Sequence, residues 1–294
     1  MAIITLTDIS KIYGFGDAAT VALEDVELGV EKGEFVAIMG PSGSGKSTLL
    51  NIIGLLDGAS HGNYKLDGRQ TEKLSSNARA KARRDKIGFV FQSSSLLPRM
   101  NVIDNVALPL AYKGRLLGGR MKTAHKMLER VGLSDRAYFM PNQLSGGQIQ
   151  RAAIARALIN DPTIIIADEP TGNLDSVSSR IVMELLSEIH SLGNTVLMVT
   201  HNPELTRYAS RVLYMNDGNI EHDLQKRIGG VAKEPEKTTV FAPEGSVEDD
   251  LQRVAATMQL SAEKEAAQPK PKTRKRKKPK KRQKSKMKKI GKSK

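Results

Sequence analysis

The chain has 294 residues, of which 39% are hydrophobic and 27% charged, so it can bury the core of one large domain or two small ones. Cysteine is absent, which excludes disulfides, thiol catalysis and cysteine-based zinc sites. The net charge of +14 comes from the C-terminal end: residues 270–294 hold 16 Lys and Arg and no acid, whereas residues 1–269 hold 30 basic and 32 acidic residues. The charge therefore does not indicate that the whole body binds nucleic acid.

Short apolar runs predict strands within residues 1–225, and no run approaches the roughly 18 residues of a membrane-spanning helix. The predicted strands are Glu34–Met39, Ile87–Phe91, Thr163–Ala167 and Thr195–Val199. The last two are β-branched without alternation, which is typical of parallel strands buried on both faces. Helical spacing predicts helices from Lys46, over residues 122–131 and over Gln148–Ile159. Because strands and helices alternate, we expect an α/β core, and the mostly helical pattern of residues 93–155 predicts an inserted helical subdomain.

The remainder of the chain differs in composition from this body. Residues 226–268 are poorer in large apolar groups and contain one predicted helix, 247–259, with a capping pattern and one apolar face. That face is expected to pack on the body or on a second copy, or else to meet a separate partner. Residues 269–294 form a Lys/Arg/Pro tract with almost nothing to bury, so disorder is expected there.

A glycine-rich segment between a predicted strand and a predicted helix fits the pattern G-x-x-x-x-G-K-[ST]. Its residues are Gly40, Pro41, Ser42, Gly43, Ser44, Gly45, Lys46, Ser47 and Thr48. Glycines let backbone N–H groups curl around phosphate oxygens, and the following helix presents its positive end to the same anion. Lys46 can reach the β- and γ-phosphates, and the Ser47 hydroxyl can bind Mg²⁺. The context favours a phosphate-binding loop over an ordinary Gly-rich turn.

Two acids follow the apolar run of the third predicted strand. Asp168 stands where a carboxylate can hold Mg²⁺ through water, and Glu169, one residue on, can polarise an attacking water. By itself this pattern fits a strand end with solvated acids equally well. The phosphate-binding loop earlier in the chain is what favours the catalytic interpretation.

A second candidate anion site, formed by Ser145, Gly146, Gly147 and Gln148, precedes a predicted helix. A serine and two glycines before a helix make a nest of N–H groups that can bind an anion. Nothing within one chain requires a second nest beside the first. In a two-fold dimer, however, this nest could close over the γ-phosphate held by the other copy.

With these motifs, residues 1–222 resemble the ATP-binding subunits of ABC transporters, whose fold is a P-loop NTPase (RecA-like) core with an inserted helical subdomain. The resemblance implies ATP and Mg²⁺ as cofactors. It also implies that Tyr13 stacks on adenine, that Gln92 senses Mg²⁺ and the attacking water, that Asp175 belongs to a loop acting across the dimer, and that His201 contacts the γ-phosphate. Taken singly, Tyr13 could be an ordinary surface aromatic and His201 a structural histidine, but their order and spacing favour the site roles.

A narrower resemblance is carried by the segments Asn51–Asp57, Ile87–Gln92 and Ala167–Asp175. They look like the subgroup that contains macrolide and peptide exporters, lipoprotein-releasing ATPases and the cell-division ATPase. This resemblance implies a homodimer in the ATP-bound state that drives a separate transmembrane permease from the cytoplasmic face of the cell membrane. Ile149 departs from the Gln of many relatives, and the C-terminal extension is not explained by the resemblance.

Together these features predict an ATP hydrolase that clamps two ATP molecules between two copies and drives a permease for export, lipoprotein extraction or mechanotransmission. The alternative from another class is a soluble ABC-type ATPase that acts on nucleic acid or ribosomes through its basic tail. Against it, the chain has a single ATPase module and no coiled-coil arm. The tail also lacks an aromatic residue for base stacking.

The basic tail, residues 269–294, is expected to bind anionic lipid, because the resemblance places the protein at the membrane and each Lys or Arg near such a surface contributes about 1 kcal/mol. Nucleic acid is the second candidate on charge alone, and a solvated tail without a partner is the third. Deletion of the tail should abolish co-sedimentation with anionic vesicles and leave the rate of phosphate release unchanged.

Salt weakens both attractive interactions, so salt dependence cannot distinguish lipid from nucleic acid. The control is therefore a competition, in which duplex DNA or RNA is titrated against vesicle-bound tail at physiological salt. Unchanged vesicle binding after the deletion would contradict the lipid tether.

Overall fold

The computed structural model describes residues 1–93 and 95–225 of the chain. The predictions for the extension, for the helix over residues 247–259 and for the basic tail fall outside the described residues. Within the described part, no helix is long and apolar enough to cross a membrane.

The strands are, in chain order, β1 (Ala2–Tyr13), β2 (Thr20–Glu31), β3 (Phe35–Met39), β4 (His61–Leu66), β5 (Arg69–Gln70), β6 (Ile87–Val90), β7 (Ile164–Asp168), β8 (Thr195–Val199), β9 (Arg211–Asn216) and β10 (Asn219–Gln225). The α-helices are α1 (Lys46–Ile53), α2 (Ser76–Lys86), α3 (Val102–Tyr112), α4 (Leu117–Arg130), α5 (Gly146–Leu158) and α6 (Ser176–Ser191). Each predicted strand and helix of the body is present.

The larger of two sheets has the order β10-β9-β3-β8-β7-β6, and all its strands are parallel except β10 at one edge. The smaller sheet is antiparallel, with the order β2-β1-β4-β5. Strands β3 and β8 are buried at every position because both faces of the larger sheet are covered. One face packs on α3, α4, α5 and α6, and the other packs on α1 and the smaller sheet. The α/β core is thus confirmed.

Strands β3 and β7 begin one residue later than predicted, and the carboxyl ends of two strands, β6 and β7, also differ from the prediction by one residue. Strand β6 ends at Val90, because the Phe91 carbonyl leaves the ladder and accepts a hydrogen bond from the buried Gln150 amide at 3.2 Å. Strand β7 runs to Asp168, which pairs in register with Val199 on β8. The second shift matters for the site, because it places the Asp168 carboxylate on the last rung of the sheet.

Helices α3, α4 and α5 lie in the chain between β6 and β7, where the sequence predicts a helical insert. The loop leading into α3 is organised by Asn105, whose side chain is completely buried. Its amide donates to the carbonyls of Leu97, Met100 and Asn101, and its carbonyl accepts from the Leu97 N–H at 2.7 Å. A buried amide with these four bonds fixes the loop that follows Gln92.

One arginine joins the two sheets at the edge opposite the carboxyl ends of the parallel strands. Arg211 is 9% exposed and binds Asp223 of β10 through two hydrogen bonds of 2.5 and 2.7 Å. It also donates to the Gly29 carbonyl of β2 at 2.7 Å and to Glu34 at 3.2 Å. A forked guanidinium can serve several acceptors at once, which explains why one residue connects β2, β9 and β10.

The turn between β9 and β10 supports the glycine-rich segment from below. Gly40 has φ of +148°, and a Cβ atom there would lie 2.1 Å from the Met215 carbonyl oxygen. Gly218, in the turn, donates its N–H to the Ser44 carbonyl at 3.2 Å. The first glycine of the segment is therefore required by a close backbone contact as well as by its dihedral angle.

Gly40→Ala should lower the free energy of unfolding by about 3 kcal/mol or more, because the new methyl group meets backbone that cannot rotate away. The matched control is Gly33→Ala, at φ of +82° with nothing within 4 Å, which should cost only about 1 kcal/mol of left-handed strain. Urea denaturation of both variants measures the difference. Equal losses would contradict the packing argument.

Candidate active site

A cleft of about 460 Å³ opens at the carboxyl ends of the parallel strands. It is lined by Ala22, Gly40, Ser42, Gly43, Gly45, Lys46, Ser47, Thr48, Gln92, Asp168, Glu169, Val199 and His201. Strands β3, β8 and β7 are neighbours, so the segments that follow them meet at one edge. Loops at the carboxyl ends of parallel strands are where α/β folds place their ligands.

The glycine-rich segment wraps the start of α1 at this edge. Gly45 caps the helix with φ of +93°, and a Cβ atom there would lie 2.5 Å from the Ala22 carbonyl oxygen. The helix begins at Lys46, as predicted, and its first N–H groups lack intrahelical acceptors. The segment therefore presents backbone donors and the positive end of α1 to the cleft, which is a site for an anion.

The Lys46 ammonium is folded back onto the same segment. It donates to the carbonyls of Gly40 and Pro41 at 2.9 and 2.6 Å and reaches the Ser44 hydroxyl at 3.3 Å. Burial lowers the pKa of Lys46, and the nearby Glu169 and Asp168 carboxylates oppose that shift. The amine is thus a half-buried cation, held in place and turned toward two acids.

Asp168 and Glu169 come from the end of β7. Burial raises the pKa of Asp168, the neighbouring Glu169 raises it further, and Lys46 opposes both effects. Glu169 has φ of +47°, a left-handed conformation that costs about 1–2 kcal/mol for a residue with a side chain. Its N–H donates to the Val199 carbonyl of β8 at 3.0 Å, and this hydrogen bond stabilises the strained conformation. Both consecutive carboxylates, Asp168 and Glu169, line the cleft.

His201 follows β8 and lies next to Glu169. The His201 Nδ1 and Glu169 Oε1 atoms are 2.9 Å apart, and the imidazole is 69% exposed whereas the glutamate is 17% exposed. The two predicted catalytic residues are therefore in direct contact. A partly buried carboxylate paired with an imidazole can hold a water molecule and accept its proton.

Gln92 enters the cleft from the loop after β6. A Cβ atom on Gly172 would lie 2.8 Å from the Gln92 amide nitrogen, so Gly172 leaves room for that side chain. This contact ties the glutamine to the loop that follows Glu169. The predicted residues Gln92, Asp168, Glu169 and His201 thus share the cleft with the glycine-rich segment.

The second nest lies elsewhere on the surface. Ser145 caps α5, with its hydroxyl accepting from the Gln148 N–H while the Gln148 side chain accepts from the Ser145 N–H at 2.9 Å. Gly147 packs on the start of α6, where a Cβ atom would lie 2.5 Å from the Ser178 hydroxyl. Asp175 caps α6 by accepting from two N–H groups. The starts of α5 and α6 therefore lie side by side, and none of these residues lines the cleft.

Tyr13 is also separate from the cleft lining. It ends β1 and is 42% exposed, and its hydroxyl donates to the Asp57 carboxylate at 3.0 Å.

Two lining residues, Ala22 and Val199, were not predicted from the sequence. They contribute backbone and small apolar groups, and no residue-type pattern distinguishes them from other strand residues.

Comparison with known proteins agrees with this geometry. The sequence profile of the ABC transporter family matches residues 23–172. Over 219 residues the chain is 51% identical to the uncharacterised ABC transporter ATP-binding protein MJ1508 of Methanocaldococcus jannaschii, covering 74% of this chain and 98% of that protein. Over 224 residues it is 48% identical to the macrolide export ATP-binding/permease protein MacB of Chlorobaculum tepidum, covering 76% of this chain and 34% of that protein.

A solved structure is similar as well. The ATP-binding cassette MJ0796, in a dimeric post-hydrolysis state bound to ADP and Pi, matches with a TM-score of 0.71 and 44% identity over 76% of this chain and 99% of that one. The fold and the cleft define a P-loop ATPase. The chain belongs to the ABC transporter ATP-binding family, which confirms the resemblance inferred from its motifs.

Asp168→Asn should stabilise the ligand-free protein at pH 7, by up to about 1 kcal/mol, since the site is half-buried and partly screened by solvent. The folded-state pKa of Asp168 is raised, so the folded protein binds this proton more tightly than the unfolded chain and loses stability as pH rises through that pKa. The gain should therefore vanish below the ordinary Asp pKa. Urea denaturation at pH 7 and near pH 3.5 checks this, and a gain that persists at the lower pH would contradict it.

Proposed function

We propose that the cleft binds ATP and hydrolyses it, with the phosphates on the glycine-rich segment and the attacking water beside Glu169. Water would attack the γ-phosphorus while the bond to the β,γ-bridging oxygen breaks, giving ADP and phosphate. The observation that carries this assignment is the 2.9 Å pair between Glu169 and His201, which lines the same cleft as Lys46. In this scheme Glu169 orients the water and accepts its proton, and His201 contacts the γ-phosphate.

The donor set at the cleft suits Mg²⁺. The Ser47 hydroxyl, the Asp168 carboxylate and the Gln92 amide all line it, and hard oxygen donors are what this ion prefers. We assign these three residues to hold the ion, which would neutralise charge on the phosphates when bound. The raised pKa of Asp168 supports the assignment, because a carboxylate that is costly to ionise alone gains from a nearby cation.

A second copy of the chain would complete the site. Gly146 and Gly147 begin α5 without intrahelical acceptors for their N–H groups, and Ser145 is exposed beside them. The nest formed by Ser145, Gly146, Gly147 and Gln148 lies outside its own chain's cleft, so it can meet a phosphate only in another molecule. We infer that two copies bind two ATP molecules, each between one copy's Lys46 and the other's nest, with Asp175 at the junction.

Closure of the two copies around ATP would drive a transmembrane permease. We propose that the chain docks on a separate permease at the cytoplasmic face of the membrane, because its relatives are named as ATP-binding and permease components of exporters. ATP favours the closed dimer and hydrolysis removes that preference, so closure and opening follow the nucleotide. The basic tail, residues 269–294, remains a proposed tether to anionic lipid.

The alternative of a soluble ATPase acting on nucleic acid or ribosomes is not carried forward. The relatives described above are named as transporter components. The body without its tail is also close to neutral, so charge alone gives no support for a nucleic-acid surface on the body.

Glu169→Gln should reduce the rate of ATP hydrolysis by at least about 100-fold while ATP still binds, because the amide keeps the geometry but cannot accept a proton. Unhydrolysed ATP should then hold the closed dimer. Phosphate release and light scattering with saturating ATP measure the two effects. A variant that hydrolyses ATP at the parent rate would remove Glu169 from the mechanism.

The matched control adds Ser145→Arg to Glu169→Gln. The added arginine lies far from the chain's own cleft, so each copy should still bind ATP but fail to form the dimer. Loss of dimerisation with retained ATP binding supports a composite site. Dimers of undiminished stability in the double variant would contradict it.

A further inference from the structure

Tyr13 is part of a three-residue cluster that the catalytic scheme does not use. Its hydroxyl donates to the Asp57 carboxylate at 3.0 Å, and the Lys11 ammonium contacts the same carboxylate at 2.9 Å. That ammonium also lies over the Tyr13 ring, 4.8 Å from its centre. Each member therefore contacts the other two, and the phenol is fixed both at its hydroxyl and on one face.

Asp57 is a firm point of attachment. Burial acts to raise its pKa, but hydrogen bonds from Lys11, from the Gly58 N–H and from Tyr13 outweigh that effect and leave the pKa below the ordinary value. The carboxylate is therefore ionised at neutral pH, which is the form that accepts all three bonds. Hydrogen bonds to a charged acceptor are stronger than neutral ones.

The loop that carries Asp57 is itself held from several sides. Lys11 donates to the Gly58 carbonyl at 2.8 Å, and Arg83 of α2 donates to the Leu55 carbonyl at 2.7 Å. The buried Tyr64 hydroxyl donates to the Ile53 carbonyl at 2.8 Å, at the last residue of α1. Helix α1 runs from Lys46 to Ile53, and the turn that follows it carries Asp57, which accepts from the Tyr13 hydroxyl.

The Lys11 ammonium covers one face of the Tyr13 ring. The Lys11 side chain is only 12% exposed, whereas Tyr13 is 42% exposed at the end of β1. A flat base can stack only on the face that the ammonium does not cover. A cation on the far side of a phenol also fixes the ring orientation at little cost, since the contact is with the π face.

We propose that Asp57 and Lys11 are positioning residues that hold the Tyr13 ring in the orientation in which it stacks on the adenine of ATP. This inference rests on the proposed ATP site and on the adenine contact that the family resemblance implies for Tyr13. It adds that the orientation of the Tyr13 ring is set by an ion pair between Lys11 of β1 and Asp57 in the turn after the phosphate-binding helix. The cluster therefore governs recognition of the base and leaves recognition of the phosphates unchanged.

The test compares two ligands that share the phosphates and differ in the base. Binding of ATP and of inorganic tripolyphosphate, both with Mg²⁺, is measured by calorimetry for the full chain and its variants. Asp57→Ala should weaken ATP binding roughly three- to ten-fold, the equivalent of one hydrogen bond, and leave tripolyphosphate binding unchanged. Tyr13→Phe, which removes only the hydroxyl, should give the same selective loss, and the double variant should lose no more than either single one.

The matched control is Asp85→Ala. Asp85 also accepts from a neighbouring arginine and is 29% exposed, close to the 36% of Asp57, but it lies on α2 away from Tyr13. This control should change neither affinity. Tyr13→Ala separates the two hypotheses: if it weakens ATP binding selectively and Asp57→Ala does not, the positioning inference fails while the adenine contact stands.

Other outcomes are equally decisive. If Tyr13→Ala leaves the ratio of the two affinities unchanged, the adenine contact is wrong and the inference falls with it. If Asp57→Ala weakens both ligands equally, the residue only supports the loop. If it tightens ATP binding, the cluster holds the ring away from the base. Should Asp57→Ala fail to fold, Tyr13→Phe provides the same test with the carboxylate in place.

Discussion

The charge balance between Lys46 and the two carboxylates after β7 is the interaction on which the site depends. The half-buried ammonium is drawn toward Asp168 and Glu169, while burial disfavours the charged forms of both Lys46 and Asp168. The backbone donors around Lys46 can bind an anion, and the two carboxylates can bind a cation. ATP with Mg²⁺, as proposed above, would supply both charges at once and complete an arrangement that is electrostatically costly without them.

The strand order of the larger sheet brings these charged groups together. Three adjacent parallel strands, β3, β8 and β7, deliver the phosphate loop, His201 and the two acids to one edge. Glu169 takes a left-handed backbone conformation at this edge and pairs with His201. The nest at Ser145 is instead carried by the helical insert, on a different surface. One part of the proposed site is thus built into the sheet, whereas the nest would contribute only in the proposed dimer.

How much of this the sequence could predict depends on how local the cause is. The phosphate loop and the start of α1 at Lys46 depend on consecutive residues, and the structure has them as predicted. The strand before the two acids is also present, but it runs one residue further, to Asp168, and the helix after Ser145 begins at Gly146, two residues before the predicted Gln148. The 2.9 Å contact between Glu169 and His201 joins residues 32 apart in sequence. Its geometry depends on a positive φ at Glu169, which the residue type does not predict. The cluster around Tyr13 likewise joins residues 44 apart. Contacts of this kind are set by chain crossing and packing, which periodicity and motif spacing do not encode.

The hydrogen bonds of Arg211 affect how the structure resists a pulling force on the chain beyond β10. Among the described residues β10 is an edge strand that pairs with β9, and its last residue, Gln225, pairs with Arg211. The chain continues from that residue, so a pull on the extension would act first on this rung and unzip the strand pair one bond at a time. The two hydrogen bonds between Arg211 and Asp223 lie beside the first residue pairs to bear the force. They raise the force needed to begin separating β10 from β9. The β9–β10 turn under Gly40 lies at the far end of the same strand, roughly 20 Å away. The nucleotide site is thereby insulated from tension until the whole strand has come away.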